Sequence, residues 1–205
     1  DVLSRITAQN MSPGLGQQIV VENRPGGGGI VGAENVAKSP GDGYSMLNIQ
    51  ASFVANAALR AKLPYDPIAD FAYVGMMARG PLLMVVHPSF GVKSIKDLIA
   101  IAKAQPGVVN FATGGIGSSP HMSMELFKSI AKIDMVPVHY KGDGAAVIDI
   151  LGGQVPLFTA SISGLLQYVK SGKLRGIAIT GAKRSSIAPE FPTIAETGMP
   201  GYEVV

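Results

Sequence analysis

The chain has 205 residues, 47% of them hydrophobic and 15% charged, with a net charge of +3; that is apolar material enough for one large domain or two small lobes. Its few basic residues are scattered and not interleaved with aromatics, which argues against nucleic-acid binding. With no cysteine there can be no thiolate metal site, cysteine nucleophile or disulfide, and no apolar run is long enough to span a bilayer as a helix.

The chain opens on Asp1, a plausible N-cap, and Val2, Leu3, Ile6 and Met11 predict a first helix that stops near Pro13-Gly14. Gln18 to Glu22 reads as a short strand, and Asn23 to Gly29 as a turn. Ile30 to Ala37 has a helical pattern closed by Ser39-Pro40-Gly41. Tyr44 to Ile49 reads as a buried strand, Ala57 to Leu59 as a short helix and Leu63 to Pro67 as an extended loop. Phe71 to Met77 and Leu82 to His87 read as consecutive strands around Arg79-Gly80-Pro81. The alternation of strand and helix changes there, so a boundary between lobes 1–79 and 80–205 is expected close to Gly80.

Ser94 with Asp97 resembles a capping box and opens a helix through Ile95, Leu98, Ile99 and Ala102, ended by Pro106-Gly107. Strands are expected at Val109 to Ala112, Val136 to Tyr140, Val155 to Thr159 and Leu174 to Thr180. Helices are expected from Pro120, from Ala145 to Leu151 and from Leu165 to Val169, and a Thr193/Glu196 box precedes a last short helix. Such alternation predicts an α/β architecture with largely parallel sheets.

The stretch with most chemical content is Thr113-Gly114-Gly115-Ile116-Gly117-Ser118-Ser119-Pro120-His121. An apolar strand ends there and a helical pattern follows, with Met122, Leu126 and Ile130 spaced four apart. Ser119 before Pro120 reads as an N-cap followed by proline at the first helical position. A helix N-terminus carries unpaired N–H groups and a partial positive charge, and glycines let a ligand approach the backbone. Thr113, Ser118 and Ser119 add neutral donors, and the stretch holds no Lys or Arg. It reads as an anion site suited to a carboxylate held by oriented dipoles. The competing reading is that any strand-to-helix turn is rich in Gly and Ser.

The turns Gln50-Ala51-Ser52, Lys141 to Gly144 and Thr159-Ala160-Ser161 also follow strands, and in open α/β sheets ligands sit at the carboxyl ends of strands. Gln50, Ser52 and Ser161 are therefore candidate ligand contacts, although Ser52 and Ser161 read equally as helix caps. His121 could face a pocket or brace the loop. His87, His121 and His139 lie on different elements without a metal-type partner nearby in sequence, so no metal is expected.

Catalytic machinery is hard to find. Ser118 lacks a G-x-S-x-G elbow, and Asp42, Asp66, Asp70, Asp143 and Asp149 read as turn, cap or surface residues. Gly27, Gly29 and Gly32 formally match a dinucleotide fingerprint, which makes an NAD-dependent oxidoreductase the alternative function. Against it, Asn23-Arg24-Pro25 separates the strand from the glycines, and no acid stands near Gln50 to hold a ribose. No cofactor and no enzymatic activity are expected.

Several runs form one pattern in order along the chain: Val20 to Gly26, Asp42-Gly43-Tyr44, Leu63 to Pro67 with Asp70-Phe71, and Thr113 to His121. It continues with Tyr140-Lys141-Gly142, Leu151 to Val155, Gly172 to Arg175 and Pro192-Thr193 through Gly201. In these the chain resembles the Bug family, the periplasmic solute-binding proteins of tripartite tricarboxylate transporters.

The resemblance implies a type II periplasmic binding protein, two α/β lobes closing like a Venus flytrap, here truncated at both ends. It implies a periplasmic, monomeric protein whose partners are a small carboxylate and a membrane permease. It further implies that main-chain groups, hydroxyls and waters hold the carboxylate, with Thr113, Gly114, Gly117 and Ser118 on one loop and Asp1 surviving from another. Members of the family often carry His where Phe53 stands and Asp where Ala160 stands. Their absence here leads to the expectation of a less polar ligand without an amino group.

Overall fold

The computed structural model describes residues 2–205, and contacts divide it into two compact units, the first ending at Phe71 and the second running from Ala72 to Val205. Residues 72–79, which the sequence reading groups with the first lobe, thereby fall in the second unit. Asp1, expected as a helix cap and a ligand contact, lies outside the described residues.

The first unit holds helices α1 (Val2–Leu15), α2 (Ile30–Ala37) and α3 (Ser52–Leu59). Helix α1 ends at Leu15, close to the expected stop near Pro13-Gly14, with Pro13 inside its last turn. The strands expected at 18–22, 44–49 and 71–77 form no ladder and remain irregular. A strand exists only through a hydrogen-bonded neighbour, and these β-type segments have none among the described residues. Several of their apolar side chains are consequently exposed, Val20, Tyr44, Met46, Tyr73, Val74 and Met76 among them.

A small core is built instead on aromatic packing. Phe53 stacks on Tyr65 at 5.6 Å, and both rings meet Phe71 edge-on, at 5.1 and 5.6 Å. Ala33 is buried against them, with Ile30, Leu47, Ile49 and Leu63 around. Phe53 is thus a core residue, and its identity carries no information about a ligand.

The second unit is a five-stranded sheet with helices on both faces. Its strands are β1 (Leu82–Val86), β2 (Asn110–Thr113), β3 (Val136–His139), β4 (Leu157–Ser161) and β5 (Arg175–Ile179), in the order β3-β2-β4-β1-β5. Strand β2 runs parallel to β3 and β4, whereas β1 is antiparallel to both β4 and β5. The sheet is therefore mixed, not largely parallel as expected. Strand composition does not encode direction; the connections do.

β1 reads Leu82-Leu83-Met84-Val85-Val86, an unbroken apolar run, because both of its faces are covered. Met84 and Val86 pack with α4 (Ile95–Ala104) and α5 (Ser119–Ala131) through Ile95, Leu98, Met124 and Phe127. Leu83 and Val85 pack on the other side with α6 (Asp143–Leu151) and α7 (Ile162–Lys170) through Ala146, Ile150, Ile162 and Leu165. Ala160 belongs to this second cluster at 3% exposure, so its lack of a carboxylate reflects burial in the core. The ligand polarity inferred from Phe53 and Ala160 has no footing.

The two capping boxes hold. Ser94 Oγ accepts from Asp97 N at 3.2 Å, and Asp97 reaches back to Lys93 N at 3.0 Å. The Thr193/Glu196 box is reciprocal, at 3.0 and 3.3 Å.

Candidate functional site

Parallel pairing of β2 with β3 and β4 brings three strand ends to one edge of the sheet, so the turns after Thr113, His139 and Ser161 are neighbours. That edge is where ligands bind in open α/β sheets. The turn after Thr113 carries most of the candidate residues.

Glycine serves this turn in two ways. Gly115 and Gly117 have φ of 128° and 76°, in the left-handed half of conformational space that side chains avoid. Gly114 has an ordinary φ, but a Cβ there would overlap Asp143 Oδ1 and lie 3.2 Å from Asp143 Cγ. The helix begins one residue earlier than expected: Ser118 is the N-cap of α5, its Oγ accepting from His121 N at 3.4 Å, and Ser119 is already in the first turn.

Most of the predicted polar groups are engaged in holding the turn. Thr113 is fully buried; its Oγ1 accepts from Gly115 N at 3.2 Å and lies 2.8 Å from His139 Nδ1. Gly117 N donates to His121 Nδ1 at 3.1 Å, and Ser118 N donates to Gly115 O at 3.1 Å. So His121 braces the loop in this structure, one of the two orientations open at the sequence level. The amides of Gly114, Ile116 and Ser119 have no acceptor among the described residues. They are the donors the turn has to offer, at the positive end of α5.

The two imidazoles meet edge-on at 4.8 Å. Burial, reinforced by the His139 charge, holds the His121 pKa below the usual imidazole range, against the opposing pull of Glu125. A neutral ring is what the Gly117 bond demands, because Nδ1 must be an acceptor.

Asp143 sits in the expected strand-to-helix turn but is less exposed than a surface residue. It is half-buried at the start of α6, its carboxylate against Gly114, and burial pushes its pKa up. Gly142, before it, supplies no side-chain cap. Neither His139 nor Asp143 stands out from sequence beside the loop, since only the pairing of β2 with β3 puts them there.

The remaining candidates are placed as follows. Ser161 is the N-cap of α7 but makes no side-chain cap bond, and it is exposed. Ser52 is buried in the first turn of α3, also without a cap bond, and Gln50 is exposed just before it. Gly27 to Gly29 form a single 3-10 turn that follows no strand, so the context a dinucleotide fingerprint needs is missing. The oxidoreductase alternative has no support. Among the described residues no cluster of His, Asp or Glu could hold a metal, and no helix is long and apolar enough to cross a membrane.

Comparison with known proteins gives a match over residues 3–205 to the tripartite tricarboxylate transporter family receptor. The chain is 39% identical to Protein BugT of Bordetella pertussis, over 98% of this chain and 63% of that protein. The chain thus spans somewhat less than two thirds of that relative's length. Among solved structures it resembles "R. palustris Rpa4515 with adipate", with a TM-score of 0.95 and 36% identity over 100% of this chain and 69% of the other. It also resembles "MatC (Rpa3494) from Rhodopseudomonas palustris with bound malate", with a TM-score of 0.91 and 29% identity over 100% of this chain and 70% of the other.

Proposed function

The chain belongs to the tripartite tricarboxylate transporter receptor family, and from that membership we propose that it is an extracytoplasmic solute-binding protein. It captures a small carboxylate and passes it to the membrane permease of such a transporter, acting as a monomer in the periplasm and catalysing no reaction. The observation that carries this reading is the turn after β2. Three amides, of Gly114, Ile116 and Ser119, have no acceptor among the described residues at the start of α5, in a turn with no cationic side chain.

Oriented amides suit a carboxylate to be carried and then released. They supply attraction at fixed geometry without the strong ion pair that a guanidinium would make. Thr113, Ser118, His121 and His139 hold the amides in place by the bonds described above. Waters can extend the reach of Ser119 and Ser161 at small cost in affinity. Two structurally similar proteins are solved with adipate and with malate, both carboxylates, which favours the same class of solute here.

The test is calorimetric titration of the whole protein with mono- and dicarboxylates. Micromolar or tighter binding of at least one of them is expected. Gly117→Val, which forces a side chain into a left-handed position, should weaken that binding at least about tenfold. Absence of binding across the whole panel would sink the proposal.

A further inference from the structure

Among the described residues, Asp143 is the carboxylate at this edge of the sheet that the loop's bracing does not use. Resting on the carboxylate-binding reading above, we propose that Asp143 sets the ligand's class, selecting carboxylates that carry a hydrogen-bond donor, an ammonium or a hydroxyl, on the carbon next to the carboxylate.

Gly114 leaves room for the Asp143 carboxylate. Its backbone is ordinary, and a Cβ there would overlap Asp143 Oδ1, so the carboxylate would have to turn away. As the two stand, the carboxylate lies over the first residue of the turn. It has no hydrogen-bond donor and no cation among the described residues. Lys141, two positions earlier, is exposed and makes no ion pair with it.

A partly buried carboxylate without a protein partner is less favourable than one fully in water, and a donor from the ligand or loss of its charge relieves it. A ligand whose carboxylate lies on the Gly114, Ile116 and Ser119 amides brings its neighbouring substituent close to Asp143. An ammonium or hydroxyl there gains a charge-assisted hydrogen bond. A bare methylene leaves Asp143 unsatisfied, and a second carboxylate at that carbon is repelled.

Two matched series test this by calorimetry on the whole protein: propionate, lactate and alanine; succinate, malate and aspartate. In whichever series binds, the hydroxylated or aminated member should bind at least roughly tenfold more tightly than the unsubstituted one, the worth of one charge-assisted bond. Asp143→Ala should remove that preference and leave the unsubstituted member's affinity equal or tighter. Asp143→Asn should remove the ammonium preference and keep part of the hydroxyl one.

Equal binding of all members by the wild type would overturn the inference while the carboxylate-binding reading stands. An unchanged ratio in Asp143→Ala would do the same. Failure of every carboxylate to bind removes both. Should the variants not fold, the wild-type ratio alone decides.

Discussion

Gly117 and His121 depend on each other. The left-handed backbone at Gly117 aims its N–H at His121 Nδ1, and that bond exists only while the ring is neutral. Because the folded pKa of His121 lies below its ordinary value of 6.5, the neutral ring contributes stability above that pH. The contribution is lost as pH falls through the lowered folded value. Melting temperature should therefore decline between about pH 7 and about pH 5, and His121→Asn, whose amide oxygen can accept from Gly117, should decline less steeply.

Asp143 has the opposite sign. Its folded pKa is raised, so its contribution is complete below 3.8 and lost as pH rises through the folded value. Asp143→Asn should accordingly melt higher than the wild type at neutral pH. Ser118→Ala removes the cap of α5, and chemical denaturation should register a loss of about 1 kcal/mol.

At the scale of the element, α5 shows how a correct periodicity can point to the wrong face. Met122, Leu126 and Ile130 lie four apart and invite assignment to the core, yet they are 41%, 38% and 40% exposed. The helix instead buries Ser123, Met124 and Phe127. Two apolar rows run side by side, and only the sheet decides which one it covers. Phe127→Ala should cost about 3–5 kcal/mol by denaturant unfolding, and Met122→Gln less than about 0.5 kcal/mol. The reverse order would mean that α5 packs on its other face. Buried Tyr202 reinforces the observed orientation, its hydroxyl lying 2.7 Å from Ser123 Oγ.

At the scale of the molecule the two units are built differently. The second has a sheet buried on both faces, and the first relies on three short helices, an aromatic cluster and extended segments without ladders. Amides in 18–22, 44–49 and 72–79 lack ladder hydrogen bonds, so hydrogen exchange on this chain should be fast there and slowest in β1, β2 and β4. Protection of 44–49 comparable to that of β1 would contradict the first unit's structure.

Local interactions were legible in the sequence. The helices, the caps at Ser94 and Thr193 and the strand-turn-helix around Gly114 to Ser118 follow from residue type and spacing within a few positions, because their determining contacts lie within one turn of chain. Tertiary structure decided what depends on partners distant in sequence. The β-type segments of the first unit did not become strands, and β1 took an antiparallel place. Phe53 and Ala160 went to cores, His139 came to Thr113, and Asp143 came to rest on Gly114. Each of those outcomes is set by which chain lies beside which, and no periodicity in a single stretch records its neighbour.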